Sequence, residues 1–532
     1  MKIIRRAAAA AVTAVVVAGA MAMGATASAR LASGMQATVH AAPAAHNVYP
    51  AVLATTASGW GKAHPVPGLA TLNAGHSAGV NQVSCASPGN CAATGTYTDA
   101  QDHDQAFVAN ENNGTWGRAI EVPGLAAIGS GALASAVSCA SAGNCATAGV
   151  FLDAHGHQHA FVADQKNGTW QNAHAIPGLG KLNPGGTSNA FSLSCASPGN
   201  CGVAGSYFTT ASTEQAFVAD ERNGTWGPAI EVPGTGALNG AGRAQVLSIS
   251  CPSAGNCTAG GFYEDATISF HAFVADETGG QWGQVHTIDV TVTGITPINE
   301  ERVTAVSCAS AGNCAATGNA GNATGHQQVW VADEVGGTWG APQEIPGFDS
   351  LNTGLIADAQ SISCPSLGYC ATGGQLSTEN GPVAYVADER AGGWDLAQQV
   401  FGGTVAFNTA SADVESVSCG SLGNCAASGS YITTGNVRLA FVVNEVDGSW
   451  GNAQNVPGIA ALAKGGLSDA TSVSCASAGN CAAGGFFFGA HGDGAFLADQ
   501  STAASARTGF ASTGSARAAS GHTGSARTGS AR

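Results

Sequence analysis

Residues 137–151 read V-S-C-A-S-A-G-N-C-A-T-A-G-V-F, and the first nine letters return along the chain at a nearly fixed interval. The cysteine phrase Cys-x5-Cys occurs eight times: Cys85/Cys91, Cys139/Cys145, Cys195/Cys201, Cys251/Cys257, Cys308/Cys314, Cys364/Cys370, Cys419/Cys425 and Cys475/Cys481. Successive copies start 54, 56, 56, 57, 56, 55 and 56 residues apart. A period of that length and regularity marks a repeat architecture, in which each unit buries its apolar face against its neighbours.

Working outward from the phrase, each unit contains four short strands. Strand A ends in V-S-C, strand B begins C-A-x-x-G, strand C is A-F-V-A-D, and strand D opens at a Trp and runs to Pro-Gly. Gly holds the fifth place of the phrase in every copy, followed by Asn in seven and Tyr369 in the eighth, as suits a tight turn that needs positive φ. Asn113-Gly114, Asn167-Gly168 and Asn223-Gly224 predict hairpins between C and D. Their Asn-Gly-Thr sequons read as turn chemistry rather than glycosylation sites. A Gly four residues after the second Cys, Gly95 through Gly485, predicts a close approach of another backbone. Ala-Phe-Val-Ala in strand C is apolar on both sides, as expected where sheets pack face to face. The recurrent Trp116, Trp170, Trp226, Trp282, Trp339, Trp394 and Trp450 read as packing residues, with a sugar-stacking role as the alternative. The acids Asp164, Asp220, Asp276, Asp333, Asp388 and Asp499 read as solvating a strand end, with weak cation sites as the alternative.

The chain ends decide between a ring and a linear stack. The last unit stops after Ala495-Phe496-Leu497-Ala498-Asp499 and lacks strand D; Trp60 to Gly68 is a strand D without its A, B or C. Complementary fragments suit a ring, whereas open solenoids wear distinct caps. The expectation is therefore an all-β, eight-bladed β-propeller of four-stranded antiparallel blades over 59–500, closed by an N-terminal strand that completes the last blade.

Two resemblances follow from the units. V-S-C-A-S-x-G-N-C-A-A-x-G with a downstream A-D-E-x-N-G-T-W resembles the repeat of secreted bacterial propeller-like proteins that carry S-C-x-S-x-x-x-C-x-A-x-G and N-G-T-x-W. It implies the fold and secretion and supplies no reaction. More distantly, Ala219-Asp220-Glu221-Arg222-Asn223-Gly224-Thr225-Trp226 is similar to the Asp-box of sialidase-type propellers, a structural motif at the same hairpin. A sialidase site would need three arginines around a carboxylate. The repeats hold six in all, and Arg222 and Arg390 fall in C–D turns on the wrong face.

Residues 1–29 read as a secretory signal peptide: Lys2, Arg5 and Arg6, an apolar run, then Ala27-Ser28-Ala29. Arg5-Arg6 leaves the choice between general and twin-arginine routes open. A secreted chain with all 16 cysteines in eight even pairs predicts disulfides, each closing a small loop and contributing about 2 kcal/mol. Zinc on the cysteines is disfavoured by their spacing and by the lack of His in the phrase. Residues 30–58 read as a flexible leader. Residues 501–532 read as a disordered Ser/Gly/Ala/Arg tail, whose four Arg could meet an anionic cell surface. The stretch between Arg30 and the tail carries ten basic against 34 acidic residues, a net −24, which repels nucleic acid. No second membrane span, cofactor motif or catalytic signature is visible, so no transmembrane anchor and no cofactor are expected.

The A–B and C–D turns should share one, nearly invariant face, and the variable B–C and D–A loops the other. Binding usually resides in variable loops on a rigid scaffold. The candidates there are His103, Asp104, His155, His157, His159, His271, His326 and His491, with Asp102, Asp153 and Asp493 nearby. Neutral filler in short polar loops is the plainer reading; a Zn²⁺ or Ni²⁺ site is the chemical alternative. The sequence thus favours a secreted non-enzymatic scaffold binding a carbohydrate or protein ligand. The alternative is an extracellular, glycan-directed hydrolase or lyase at the channel mouth.

Overall fold

A computed structural model describes residues 59–501, apart from 185, 210–212, 291–299, 322–325, 355, 380, 401, 403–410, 434, 465 and 490–491. The expected signal peptide, leader and tail, and His491 among the site candidates, lie outside the described residues. Among the described residues no helix is long and apolar enough to cross a membrane.

The chain forms eight antiparallel blades in a ring. In blade 1, strand A is Ala78–Ser87, strand B Asn90–Thr98 and strand C Asp104–Asn112. The turns behave as their residues require. Gly89 has φ +70°, and Asn113 and Gly114 have φ +49° and +77°, the positive pair that a two-residue hairpin of matching twist demands. The two turns then touch: Gly114 N–H donates to the Gly89 carbonyl at 2.9 Å. Asn90 does not adopt positive φ. Instead its side chain fastens the turns, with Nδ2 donating to Ser87 Oγ and Oδ1 accepting Asn113 N–H.

Strand D is not the continuous strand expected. It is two short pieces, Thr115–Trp116 and Ile120–Glu121, both on strand C. The interruption turns a backbone donor outward: Ala119 N–H reaches the Pro67 carbonyl of the preceding blade at 2.7 Å. Ala173 to Pro123 and Ala229 to Pro177 repeat the contact. The Pro-Gly after strand D therefore serves the neighbouring blade.

The Gly four residues after the second Cys is fixed by a bulge in strand A. The register slips between Val80 and Gln82, which drives the Gly79 carbonyl against Gly95. A Cβ on Gly95 would overlap that oxygen, and the same holds at Gly149, Gly205, Gly261, Gly318, Gly374, Gly429 and Gly485 against their own strand-A carbonyls.

The apolar core is divided among the seams. Phe107, Phe161, Phe217, Phe273, Trp330, Tyr385, Phe441 and Phe496 hold one position of strand C and are wholly buried. Each apolar cluster combines residues of two adjacent blades, so no blade has a core of its own. A belt of hydrogen bonds stitches the A strands. The Ser before each first Cys accepts the backbone N–H of the next blade's Cys, as in Ser84 to Cys139 (3.0 Å) and Ser138 to Cys195 (2.9 Å). The belt closes through Ser474 to Cys85 at 2.9 Å.

All sixteen cysteines are disulfide-bonded within their own phrases, as the even pairing predicts. The bonds join Cys85 to Cys91, Cys139 to Cys145, Cys195 to Cys201 and Cys251 to Cys257. They likewise join Cys308 to Cys314, Cys364 to Cys370, Cys419 to Cys425 and Cys475 to Cys481. Each closes the mouth of an A–B hairpin, where the two cysteines sit opposite each other or one register step from a bulge.

Closure follows the complementary ends. Gly59 and Trp60 pair with Ser501 and Gln500, and His64 and Pro65 with Leu497 and Phe496. Ser501, which sequence placed in the tail, is the last residue of strand C.

Candidate functional site

The turn face repeats because its polar groups hold the seams. Trp116 Nε1 donates to Asp499 across the ring junction at 3.0 Å; Trp226 donates to Asp164, Trp339 to Asp276 and Trp450 to Asp388. Asp164, Asp220, Asp276, Asp388 and Asp499, expected to be solvated, are thus indole acceptors in the seams, and burial raises Asp333, Asp388 and Asp499 above the usual carboxylate range. The following residue in strand C is buried too. Burial first, then the Asp across the seam, pushes Glu111, Glu334, Glu389 and Glu445 up to about 7.

Like meets like at every seam. Six seams set an Asp beside a Glu: Asp499 with Glu111, Asp164 with Glu221, Asp220 with Glu277, Asp276 with Glu334, Asp333 with Glu389 and Asp388 with Glu445. At the other two seams the indole acceptor is Asn110 or Asn444, and the Glu position of the next blade is Gln165 or Gln500. Two adjoining buried carboxyls oppose each other's ionisation, so their protons are held to a higher pH than that of a solvated carboxyl. Cations join three of the acid seams: Lys166 beside Glu221, Arg222 at 2.8 Å from Glu277, and Arg390 at 3.1 Å from Asp388.

Two clefts of about 250 and 310 Å³ open on this face, between blades 6 and 7 and blades 5 and 6. Cys314, Cys364, Cys370, Cys419 and Cys425 line one cleft or the other. Cys91, Cys145, Cys201 and Cys481 line neither; each is buried in the apolar cluster of its own seam. Cys364, Cys370 and Cys425, which line the clefts, are buried in the apolar clusters of their seams as well, so cysteines of both groups are packing residues as well as disulfide partners, and the regular cysteine phrase does not mark a binding surface. Its letters show the bond and not the burial, because the covering blade lies a whole unit away in sequence.

The other face carries the B–C loops and, in the D–A connections, single helical turns such as Leu125–Ile128. His103 stands at 3.7 Å from Asp99, while Asp104 opens strand C and accepts from Thr98 Oγ1. His155, His157 and His159 gather around Asp153 in blade 2. His155 and His157 stand on the turn, and His159 is the second residue of strand C. His271 lies between Asp265 (3.0 Å) and Glu301 (3.8 Å) in blade 4. His326 is half-buried immediately before strand C of blade 5. Among the described residues these candidates fall in blades 1, 2, 4 and 5, and none of them lines either of the two clefts.

Sequence reasoning missed a cluster on the inner wall at the loop end of the channel. Arg438 Nη2 lies 2.8 Å from Asp469, 3.4 Å from Glu415 and 3.7 Å from Asp413, and its Nε donates to Ser430 Oγ. Burial, then the neighbouring Asp469 and Asp413, lifts Glu415 well above the usual carboxylate range. Burial lifts Asp469 to about 6 although Arg438 opposes it. In blades 4 and 5 Arg302 lies over the rings of Phe262 and Phe270, and Arg243 over Phe270. The signal was present at one strand-A position, occupied by Gly79, Leu133, Asn189, Gln245, Arg302, Asp358, Asp413 and Asp469 in turn. The last four are all charged.

Neither a protein-family model nor a curated protein matches the chain. Solved structures similar in arrangement include a polysaccharide lyase, the PL25 ulvan lyase (11% identity, 72% of this chain and 95% of that chain, TM-score 0.39). The BP39L lectin of Burkholderia pseudomallei is another (13%, 72% and 99%, 0.40), as is Sqt1 of Chaetomium thermophilum (13%, 81% and 97%, 0.46). With TM-scores below 0.5, these likenesses carry nothing about function.

Proposed function

We propose that the protein is a secreted, non-enzymatic propeller that binds a carbohydrate or protein ligand through its B–C and D–A loop face. One observation carries the reading: the recurring polar groups of the turn face are engaged in the seams, whereas the loop face differs from blade to blade and leaves side chains such as His155 and His157 exposed. The signal-like residues 1–29 and the eight disulfides support export to an oxidising compartment. The four Arg beyond residue 501 suit contact with an anionic cell surface, and the acidic body disfavours nucleic acid. A glycan array and a pull-down from culture supernatant test the reading with the purified protein. Binding should fall when B–C loops are exchanged for that of another blade and survive changes in the C–D turns. Silence in both assays removes the claim.

A second reading has its own observation, the carboxyls around Arg438. A buried carboxyl kept protonated beside an ionised one is the arrangement that glycan-directed hydrolases and lyases use for proton transfer. Release of reducing ends or unsaturated products from a polysaccharide panel, abolished by Glu415→Gln, would establish it; no turnover on the panel removes it.

A further inference from the structure

The B–C loops of blades 1, 2 and 4 share one backbone design. An aspartate opens each: Asp99, Asp153 and Asp265. Its N–H donates to the carbonyl four residues on, in His103, His157 and Ser269. Its Oδ1 accepts the N–H groups two and four residues on: Gln101 and His103, His155 and His157, Thr267 and Ser269. The other oxygen, Oδ2, meets the side chain six residues on: Gln105 at 3.1 Å, His159 at 3.2 Å and His271 at 3.0 Å.

The three loops therefore act as controls on one another. Blade 1 shows that a neutral amide meets the structural need at the sixth place. Blade 4 shows that Thr and Ser suffice at the second and fourth. Blade 2 has an imidazole at all three, although no hydrogen bond of the shared design requires one at the second or fourth place. Their nitrogens converge on Asp153 Oδ2: His155 Nδ1 at 3.9 Å, His157 Nδ1 at 3.3 Å and His159 Nε2 at 3.2 Å. Donor atoms of Asp153, His157 and His159 all lie within 4.8 Å of one another. The side chains of His155 and His157 are 81% and 51% exposed, so both can turn toward a common centre without disturbing the core. Imidazole nitrogens with one carboxylate are a ligand set for borderline divalent ions, not for the hard cations that prefer all-oxygen shells.

We propose that Asp153, His155, His157 and His159 bind one Zn²⁺ or Ni²⁺ ion on the loop face of blade 2. The site stands apart from the ligand-binding reading, because its four donors come from seven consecutive residues and require no partner. Calorimetric titration of the full chain with ZnCl₂ and with NiCl₂, and visible absorption with Co²⁺, test it. One-to-one binding and a cobalt band of low-coordinate, nitrogen-rich type are expected. The double variant His155→Thr/His157→Ser writes the blade 4 residues into the blade 2 loop and keeps His159. It should retain the wild-type circular dichroism and melting temperature, and lose both the stoichiometric heat and the cobalt band. His159→Gln copies blade 1, so it should keep the fold and weaken binding. Wild-type heats no larger than those of the double variant, or a cobalt spectrum common to both, overturn the proposal.

Discussion

The residue with the clearest physical duty is the strand-B glycine. Its position was legible as a place of close approach; the bulge that creates the approach was not, because nothing in the strand-A letters announces a register slip. In Gly205→Ala the new methyl meets the Asn189 carbonyl, which is backbone and cannot swing aside. We expect a loss of about 1–3 kcal/mol by urea unfolding, typical of overpacking a tight site. Gly180→Ala, which meets nothing within 4 Å, should change stability by less than about 1 kcal/mol. The belt serine was visible in every copy and its meaning was not, since Ser is common in any secreted β protein. Ser138→Ala leaves the Cys195 N–H without its 2.9 Å acceptor, and the same measurement should show about 1–3 kcal/mol lost.

At the scale of elements, strands and turns could be read from Gly, Asn and Trp, and the seams could not. Asp276 and Glu334 lie in different units, so no local motif records their pairing. The break in strand D escaped for a related reason, since its cause is the neighbouring blade's Pro carbonyl. The seams give the protein an unusual pH response. Folded Glu111, Glu334, Glu389 and Glu445 titrate near 7, above their ordinary value of 4.5, so the folded state binds more protons than the unfolded between those limits. Their contribution is full below about 4.5 and is lost as pH rises through about 7. Asp99, Asp153 and Asp265 act oppositely: their values are lowered, and their contribution is lost only as pH falls below the ordinary aspartate range. The melting temperature should therefore be higher at pH 5 than at pH 8. Glu334→Gln removes a buried carboxyl that opposes Asp276, and should raise the melting temperature at pH 8 and flatten the profile. A profile that rises steadily from pH 5 to pH 8 contradicts this account.

For the whole molecule, the ring was legible because the two incomplete units complement each other. The channel-mouth cluster was not, because Asp413, Glu415 and Asp469 meet only once blades 7 and 8 stand side by side. Since each core cluster spans a seam, stability is shared around the ring and closure is worth more than its few hydrogen bonds. Trp60→Ala removes the indole bond to Asn444 and the buried ring at the junction. It should cost about 3–5 kcal/mol, as losing a large core aromatic does. Limited proteolysis should then cut first within blade 8 or near residue 59.

The junction also sets an orientation. Gly59 and Ser501 sit opposite each other at the C–D end of blade 8, so the polypeptide enters and leaves on the side where the disulfide hairpins lie. On the proposed reading that the arginines past residue 501 meet an anionic cell surface, the ring would lie like a plate on its stand, underside inward, with the histidine-bearing rim turned to the surroundings.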